Sequence, residues 1–289
     1  MMTAAEIADL ARGKAVADVA CPVCGPQRTS VINRKRAVLR IWSQSDGFTS
    51  WHCARCGERG HSYDGSEREI DRKAWQQRRQ EIEARNRGEA AAQLRKAHWL
   101  WRQGRAITGT IAARYLREAR GISCPLPPTL RYLPPRDGYE PAMIAAFGMP
   151  DEIEPGLLST ATLDVLGVHV TRLKPDGSGK IAAAEDRPAK ITLGRGSTGW
   201  PIVLAPPNDL LGLVIGEGIE DVLSAHSATT LGGWAGGSAG RLPALADRVP
   251  RWIDCVSVLV DDDEAGRKHA SELVARLNAR GIHAQAVGG

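Results

Sequence analysis

An α/β chain with a small metal-bound module at its front is the fold class the sequence predicts. Two cysteine pairs spaced for one ion, a strand–helix alternation over the last 80 residues, and acidic residues set directly after two of those strands carry the prediction. The 289 residues are 43% hydrophobic and 25% charged, the balance of a globular chain with one large domain or two to three small ones. The longest apolar runs, LLGLVIG and VSVLV, fall far short of the roughly 20 residues of a membrane helix, so no membrane span is expected. MMTAAEIADLARGKAVADVA has acids where a signal peptide would be basic and lacks a continuous apolar stretch. It reads as an ordinary helix, and the protein is expected in the cytoplasm.

The net charge of +5 is divided unevenly. Residues 1 to 120 hold 23 Lys and Arg against 13 Asp and Glu, a net of +10, whereas residues 121 to 289 hold 15 against 20, a net of −5. A basic front half suits a polyanion, most commonly nucleic acid, and equally suits a solvated charged surface.

The front module begins with Cys21 and Cys24 in CPVCG and ends with Cys53 and Cys56 in CARCG. Each pair has two residues between its thiols and a glycine after, the arrangement of a knuckle that points both sulfurs at one tetrahedral Zn2+. Between the pairs, RAVLRIW alternates on a period of two, SQSDG makes a turn and FTSWHC leads back, so a zinc ribbon is expected. The ion supplies on the order of 10 kcal/mol of folding free energy to a module with little core of its own. His52 and His61 are not needed, because four cysteines complete the shell. Arg34, Lys35, Arg36, Arg40, Trp42, Phe48 and Trp51 mix cations with rings in the manner of a single-strand-binding surface. Packing around the ion explains the rings as well.

From Glu67 to about Arg105 the composition is helical, with two helices expected to break near Asn86 to Gly88. AARYLREARGI reads as a short amphipathic helix stopped by Gly121, PLPPTLRYLPP as an extended passage opening a new domain, and residues 161 to 183 as a hairpin around a PDG turn. GSGK within it is no nucleotide-binding loop, since Lys174 stands where the first glycine is required and Ile181 where Ser or Thr should follow. Lys180, Lys190 and Arg195 lie on or near these strands, placed either to hold phosphates or to solvate the hairpin. Cys124 and Cys255 have no partner at metal spacing and read as packing residues.

LLGLVIG then runs into Glu217, Gly218 and the helix IEDVLSAHSA, a glycine-rich loop follows GGWA, and CVSVLV runs into Asp261, Asp262 and Asp263 ahead of a long helix and a last strand, IHAQAV. Such alternation builds a parallel sheet with its chemistry at the carboxyl edge. Glu217, Asp261 and Asp263 can meet there, and carboxylate oxygens with water and a substrate phosphate are what Mg2+ accepts. A helix N-terminus enriched in acids accounts for Asp263 and Glu264 but not for Asp261 or Glu217.

EGIED and VDDDEAGR, about 40 residues apart, resemble the two signatures of the TOPRIM fold of bacterial-type primases, topoisomerases and some nucleases. CPVCG followed by WHCARCGERGHSYD resembles the N-terminal zinc-binding domain of bacterial and phage DNA primases. The resemblance implies a zinc-ribbon domain over 1–66, a basic helical linker over 67–122, a β-rich subdomain over 123–205 and a TOPRIM domain over 206–289. It implies primer synthesis on single-stranded DNA from nucleoside triphosphates, with Mg2+ or Mn2+ at Glu217, Asp261 and Asp263 and with Asp221 supporting them. Lys190 lies where the family keeps a basic residue facing template or nucleotide, and Arg267, which follows the second signature, is expected with it among the nucleic-acid- or nucleotide-binding residues. A separate replicative helicase would unwind the duplex. Four cysteines in place of the usual three and a histidine, and a short β-rich region, depart from cellular primases. A noncatalytic zinc-finger/TOPRIM recombination mediator and a TOPRIM nuclease are the alternatives.

Overall fold

The computed structural model describes residues 2–44, 47–63, 72–136, 138–184 and 187–288. It divides into two compact units, Met1–Ala84 and Arg85–Gly289.

In the first unit, helix α1 (Ala4–Ala11) starts on a capping box in which the Glu6 carboxylate accepts from the Thr3 N–H at 2.7 Å and the Thr3 hydroxyl accepts from the Glu6 N–H. It ends at Arg12, whose φ of 49° turns the chain out of the helix, and Gly13 continues the turn at φ 71°. The expected N-terminal helix is therefore only its first half. Its second half, VADVA, is strand β1 (Val16–Ala20), because branched residues on a period of two pair better than they coil. After the short helix α2 (Val31–Lys35), strands β2 (Ala37–Ser43), β3 (Phe48–Cys53) and β4 (Arg59–Tyr63) complete an antiparallel sheet in the order β1-β2-β3-β4. The hairpin expected between the cysteine pairs is present as β2 and β3, and Ser45 and Asp46 of its turn lie outside the described residues. Ile7, Leu39 and Ile41 close a core over Cys21, Cys24 and Cys53.

Helix α3 (Arg72–Gln103) is continuous, which corrects the expected break near Gly88. A glycine costs a helix about 1 kcal/mol. Here the pairs Arg79–Glu83 and Arg85–Glu89, the second spanning Gly88, and the alanine-rich stretch that follows carry the helix through.

In the second unit, strand β5 (Arg105–Ala106) and helix α4 (Ile111–Arg114), which widens into a π-turn over Tyr115–Ala119, lead into β6 (Leu130–Leu133) and β7 (Ala142–Phe147). The exposed hairpin of β8 (Asp151–Glu154) and β9 (Leu157–Ser159) precedes β10 (Gly167–Arg172) and β11 (Lys190–Leu193). The sheet runs β11-β10-β7-β6-β5. Ala142, Ile144, Ala146, Val168 and Val170 face α3, whereas Met143, Ala145 and Phe147 face Tyr115 and Leu116. The expected PDG turn is real, but among the described residues the chain makes only a single bridge, Leu173 to Lys180, before β11 supplies the true partner of β10.

The last sheet is ordered β12-β14-β13-β15-β16, from β12 (Ile202–Ala205), β13 (Gly212–Gly216), β14 (Gly232–Ala235), β15 (Cys255–Val260) and β16 (His283–Gly288). All neighbours are parallel except the edge strand β12. Helix α5 (Ile219–Thr229), a 3-10 stretch (Ala239–Arg248) and helix α6 (Glu264–Ala279) cover it. Strands β12, β13 and β14 read as continuous apolar runs because both of their faces are buried, whereas β15 alternates and the edge strand β16 is mostly exposed.

Candidate functional site

Cys21, Cys24, Cys53 and Cys56 bring their sulfurs within 4.8 Å of one another. Cys21 and Cys56 are 3.9 Å apart and Cys24 and Cys53 3.8 Å apart. A tetrahedral shell with metal–sulfur bonds of about 2.3 Å has edges of about 3.8 Å, so the donors and their spacing both fit Zn2+. The knuckle glycine Gly25 is obligatory: a Cβ there would sit 2.5 Å from the Cys21 carbonyl oxygen.

The two readings of the nearby rings divide between them. Trp51 is buried against the cysteines, with Gly60 stacked so close that a Cβ would meet its ring at 2.3 Å. Trp42 is 37% exposed, and Phe48 stacks on His61 with centroids 5.8 Å apart. With Arg59 they line a shallow open groove. Arg36 is exposed, Arg34 donates to the Arg28 carbonyl, and Arg40 is held by Asp18 at 2.6 Å.

At the carboxyl edge of the parallel sheet, β13 delivers Glu217 and β15 delivers Asp261, as expected. Burial and then the Asp261 charge push the Glu217 carboxyl above the ordinary range, against Lys190 and the Ala239 N–H. Asp261 is raised by burial, by Asp221 and by Asp263, with Lys190 opposing. The four acids thus crowd one another electrostatically. Their oxygens are not drawn into a closed shell: among the described residues, the four cysteines alone gather ligand atoms closely enough to hold an ion. The donor type fits Mg2+, and the crowding is of the kind a cation relieves.

Asp263 also does the structural work the helix-start reading gave it. It is the N-cap of α6 and accepts from the Gly266 N–H at 2.7 Å. Gly266 is required there, since a Cβ would press on the Asp261 carbonyl oxygen at 2.6 Å. Arg267 pairs with Asp262 at 2.7 Å across an exposed surface, a bond that holds neither side chain firmly. Asp221, in the first turn of α5, is exposed and 3.5 Å from Arg120.

One charged residue of this edge escaped the sequence reading. Glu220, inside EGIED, is only 3% exposed and accepts from the Tyr115 hydroxyl at 2.8 Å and the Lys180 ammonium at 2.9 Å. Burial alone would raise its carboxyl, but Lys180, its own backbone N–H and Tyr115 outweigh that and hold it at about 2. Helical spacing was the available signal: Ile219, Glu220, Val222 and Leu223 share the buried side of α5. Lys180 therefore neither projects into solvent nor stands free for phosphate. Burial lowers its ammonium despite Glu220, and Lys190 lowers it further. His169, beside Lys190 and Glu220, is kept neutral by burial at about 4. Arg195 opens a short 3-10 turn, and its side chain lies outside the described residues.

A family model for a Toprim domain matches residues 212–288, and one for a domain of unknown function, DUF7146, matches residues 91–200. No curated protein matches the chain. Among solved structures, the zinc-binding and RNA polymerase domains of the Aquifex aeolicus primase are similar at 13% identity and TM-score 0.36, over 98% of this chain and 79% of that one. The primase fragment of the bacteriophage T7 primase-helicase protein is similar at 15% identity and TM-score 0.36, over 93% and 88%. A DNA primase domain from Pseudomonas aeruginosa is similar at 14% identity and TM-score 0.34, over 60% and 50%. Superpositions this loose do not bear on chemistry. The family match and the strand order β12-β14-β13-β15-β16 with its acidic carboxyl edge agree on one assignment: residues 212–288 are a Toprim domain.

Proposed function

We propose that the protein synthesises short primers on single-stranded DNA by metal-dependent nucleotidyl transfer. The observation that carries the reading is the mutual crowding of Glu217 and Asp261 at the carboxyl edge of a Toprim sheet, with Lys190 facing both and Lys180 beside it. A bound Mg2+ or Mn2+ supplies charge neutralisation for an attacking sugar hydroxyl and a departing pyrophosphate. The new bond joins the 3′ oxygen to the α-phosphorus, the bond to the β-phosphate oxygen breaks, and the hydroxyl proton leaves to solvent or a carboxylate. No protein nucleophile is needed.

The chain's own residues divide this work. Glu217 and Asp261 hold the cation, Asp263 adds its free oxygen while capping α6, and Asp221 deepens the negative field from α5. Lys190 takes a phosphate oxygen. The groove of Trp42, Phe48, His61 and Arg59 stacks template bases, and Arg34 and Arg36 add charge for its backbone. Zn2+ is the ion of the four-cysteine site.

The test is to incubate the protein with single-stranded DNA, labelled ribonucleotides and Mg2+ or Mn2+ beside a Glu217→Ala control. Short labelled products that vanish in the control support priming. Shortened template, or binding without product, overturns it.

A further inference from the structure

The second unit carries another feature, on the side of β13 and β15 opposite the acids. A cleft of about 700 Å3 opens between the β8–β9 hairpin and the segments that enter β13 and β15. Among the described residues its lining joins the apolar Ile153, Pro207, Leu211 and Trp252 to the acidic Glu152, Glu154 and Asp209 and includes no cation. Ile153 is 61% exposed and Trp252 55%. Among the described residues, Glu154 and Asp209 form neither an ion pair nor a side-chain hydrogen bond, while Glu152 accepts from the Gly156 N–H at 2.8 Å.

Acids on an edge strand ordinarily serve to keep other strands away. That accounts for Glu152 and Glu154 on β8 but not for the large apolar side chains set among them, which invite what the acids would repel. Among the described residues strand β8 pairs with β9 alone, so its outer edge keeps unpaired backbone donors and acceptors. Nucleic acid is excluded, since unpaired carboxylates repel phosphates. Apolar and acidic lining residues and an open strand edge are together complementary to one kind of ligand.

We infer that this cleft docks an extended segment of another protein in which cationic and apolar side chains alternate. The segment adds to the edge of β8, places its apolar side chains against Ile153 and Trp252, and pairs its cations with Glu152, Glu154 and Asp209. The proposal is independent of the chemistry at the opposite edge.

The probe is a fluorescein-labelled peptide of alternating lysine and leucine, with a glutamate–leucine peptide of equal length as its counterpart, titrated with the full chain by fluorescence anisotropy. The basic peptide binds, more weakly as salt is raised, and the acidic one does not. Glu154→Lys with Asp209→Lys weakens binding at least tenfold, and so does Trp252→Ser. All three side chains are exposed, and unchanged circular dichroism confirms that each variant is folded. Equal binding of both peptides, or of the basic peptide to the charge-reversed variant, overturns the inference. So does a dimer in sedimentation velocity that Trp252→Ser dissolves, because a second copy is then the occupant.

Discussion

Replacing Glu220 by Gln tests whether the buried pair with Lys180 fastens the β10–β11 hairpin to the Toprim helix α5. The carboxyl is held at about 2 where an ordinary glutamate stands at 4.5, which corresponds to about 3 kcal/mol of folded-state preference for the anion. Lys180 gives part of that back, since burial and Lys190 lower its ammonium in spite of the pair. The Glu220 side is the better measure of the substitution, because glutamine leaves Lys180 in place, a quarter exposed, beside another ammonium. The expected loss is about 3 kcal/mol at pH 7, read from urea unfolding with the transitions of the two units fitted separately. Lys180→Met added to Glu220→Gln removes the stranded charge and restores more than half of the loss. The pH dependence has a definite sign. A carboxyl depressed in the folded state contributes fully above about 4.5 and loses its contribution as pH falls toward about 2. The gap between wild type and Glu220→Gln therefore narrows across that window. A loss under 1 kcal/mol at pH 7, or a double variant less stable than Glu220→Gln alone, refutes the reasoning.

Three further outcomes are expected. Gly60→Ala places a Cβ 2.3 Å from the Trp51 ring and forces it off the cysteine cluster, so zinc release to a colorimetric chelator becomes faster than in wild type. Removing the metal with 1,10-phenanthroline takes away on the order of 10 kcal/mol from the first unit, and circular dichroism then loses the Met1–Ala84 sheet while the Arg85–Gly289 signal stays. His169, neutral at about 4 where histidine ordinarily stands at 6.5, binds its proton more weakly folded than unfolded; stability is full above about 6.5 and falls as pH drops toward about 4, by up to about 3 kcal/mol. His169→Gln flattens that slope in urea midpoints taken between pH 7 and 4.5.

What was legible in the sequence followed local rules. The cysteine spacing fixes a shell whatever surrounds it, a parallel strand buried on both faces announces itself as GLVIG, and CVSVLV stands as an apolar run beside it, so the cluster and the Toprim sheet could be read directly. Helical spacing could have placed Glu220 on the buried side of α5, but not its partners, which are distant: Tyr115 lies 105 residues away in sequence, and only the folded chain shows that Lys180 turns inward. The break expected in α3 failed for the opposite reason. Gly88 is a real local cost, but ion pairs and alanines on either side repay it, and a single-residue rule counts only the cost. The second half of the N-terminal helix was lost to β2, whose pairing with Val16–Ala20 no reading of residues 1 to 20 alone could see.

The strongest link between this fold and the proposed chemistry is that charges of both signs are kept from cancelling. Lys190 feels Glu217 and Asp261, yet among the described residues it forms no ion pair with either. Its place on β11, in register with Thr171 on β10, and theirs at the ends of β13 and β15 set the groups apart on rigid strands. A flexible surface would let lysine and carboxylate collapse onto each other and leave nothing for a substrate to neutralise. Lys180 shows the contrast within the same cluster, because Glu220 has already taken it. A nucleoside triphosphate with its divalent cation carries the complementary pattern, positive toward the acids and negative toward Lys190. Under the proposed function, its binding would relieve the repulsion among the acids and that between the two lysines at once.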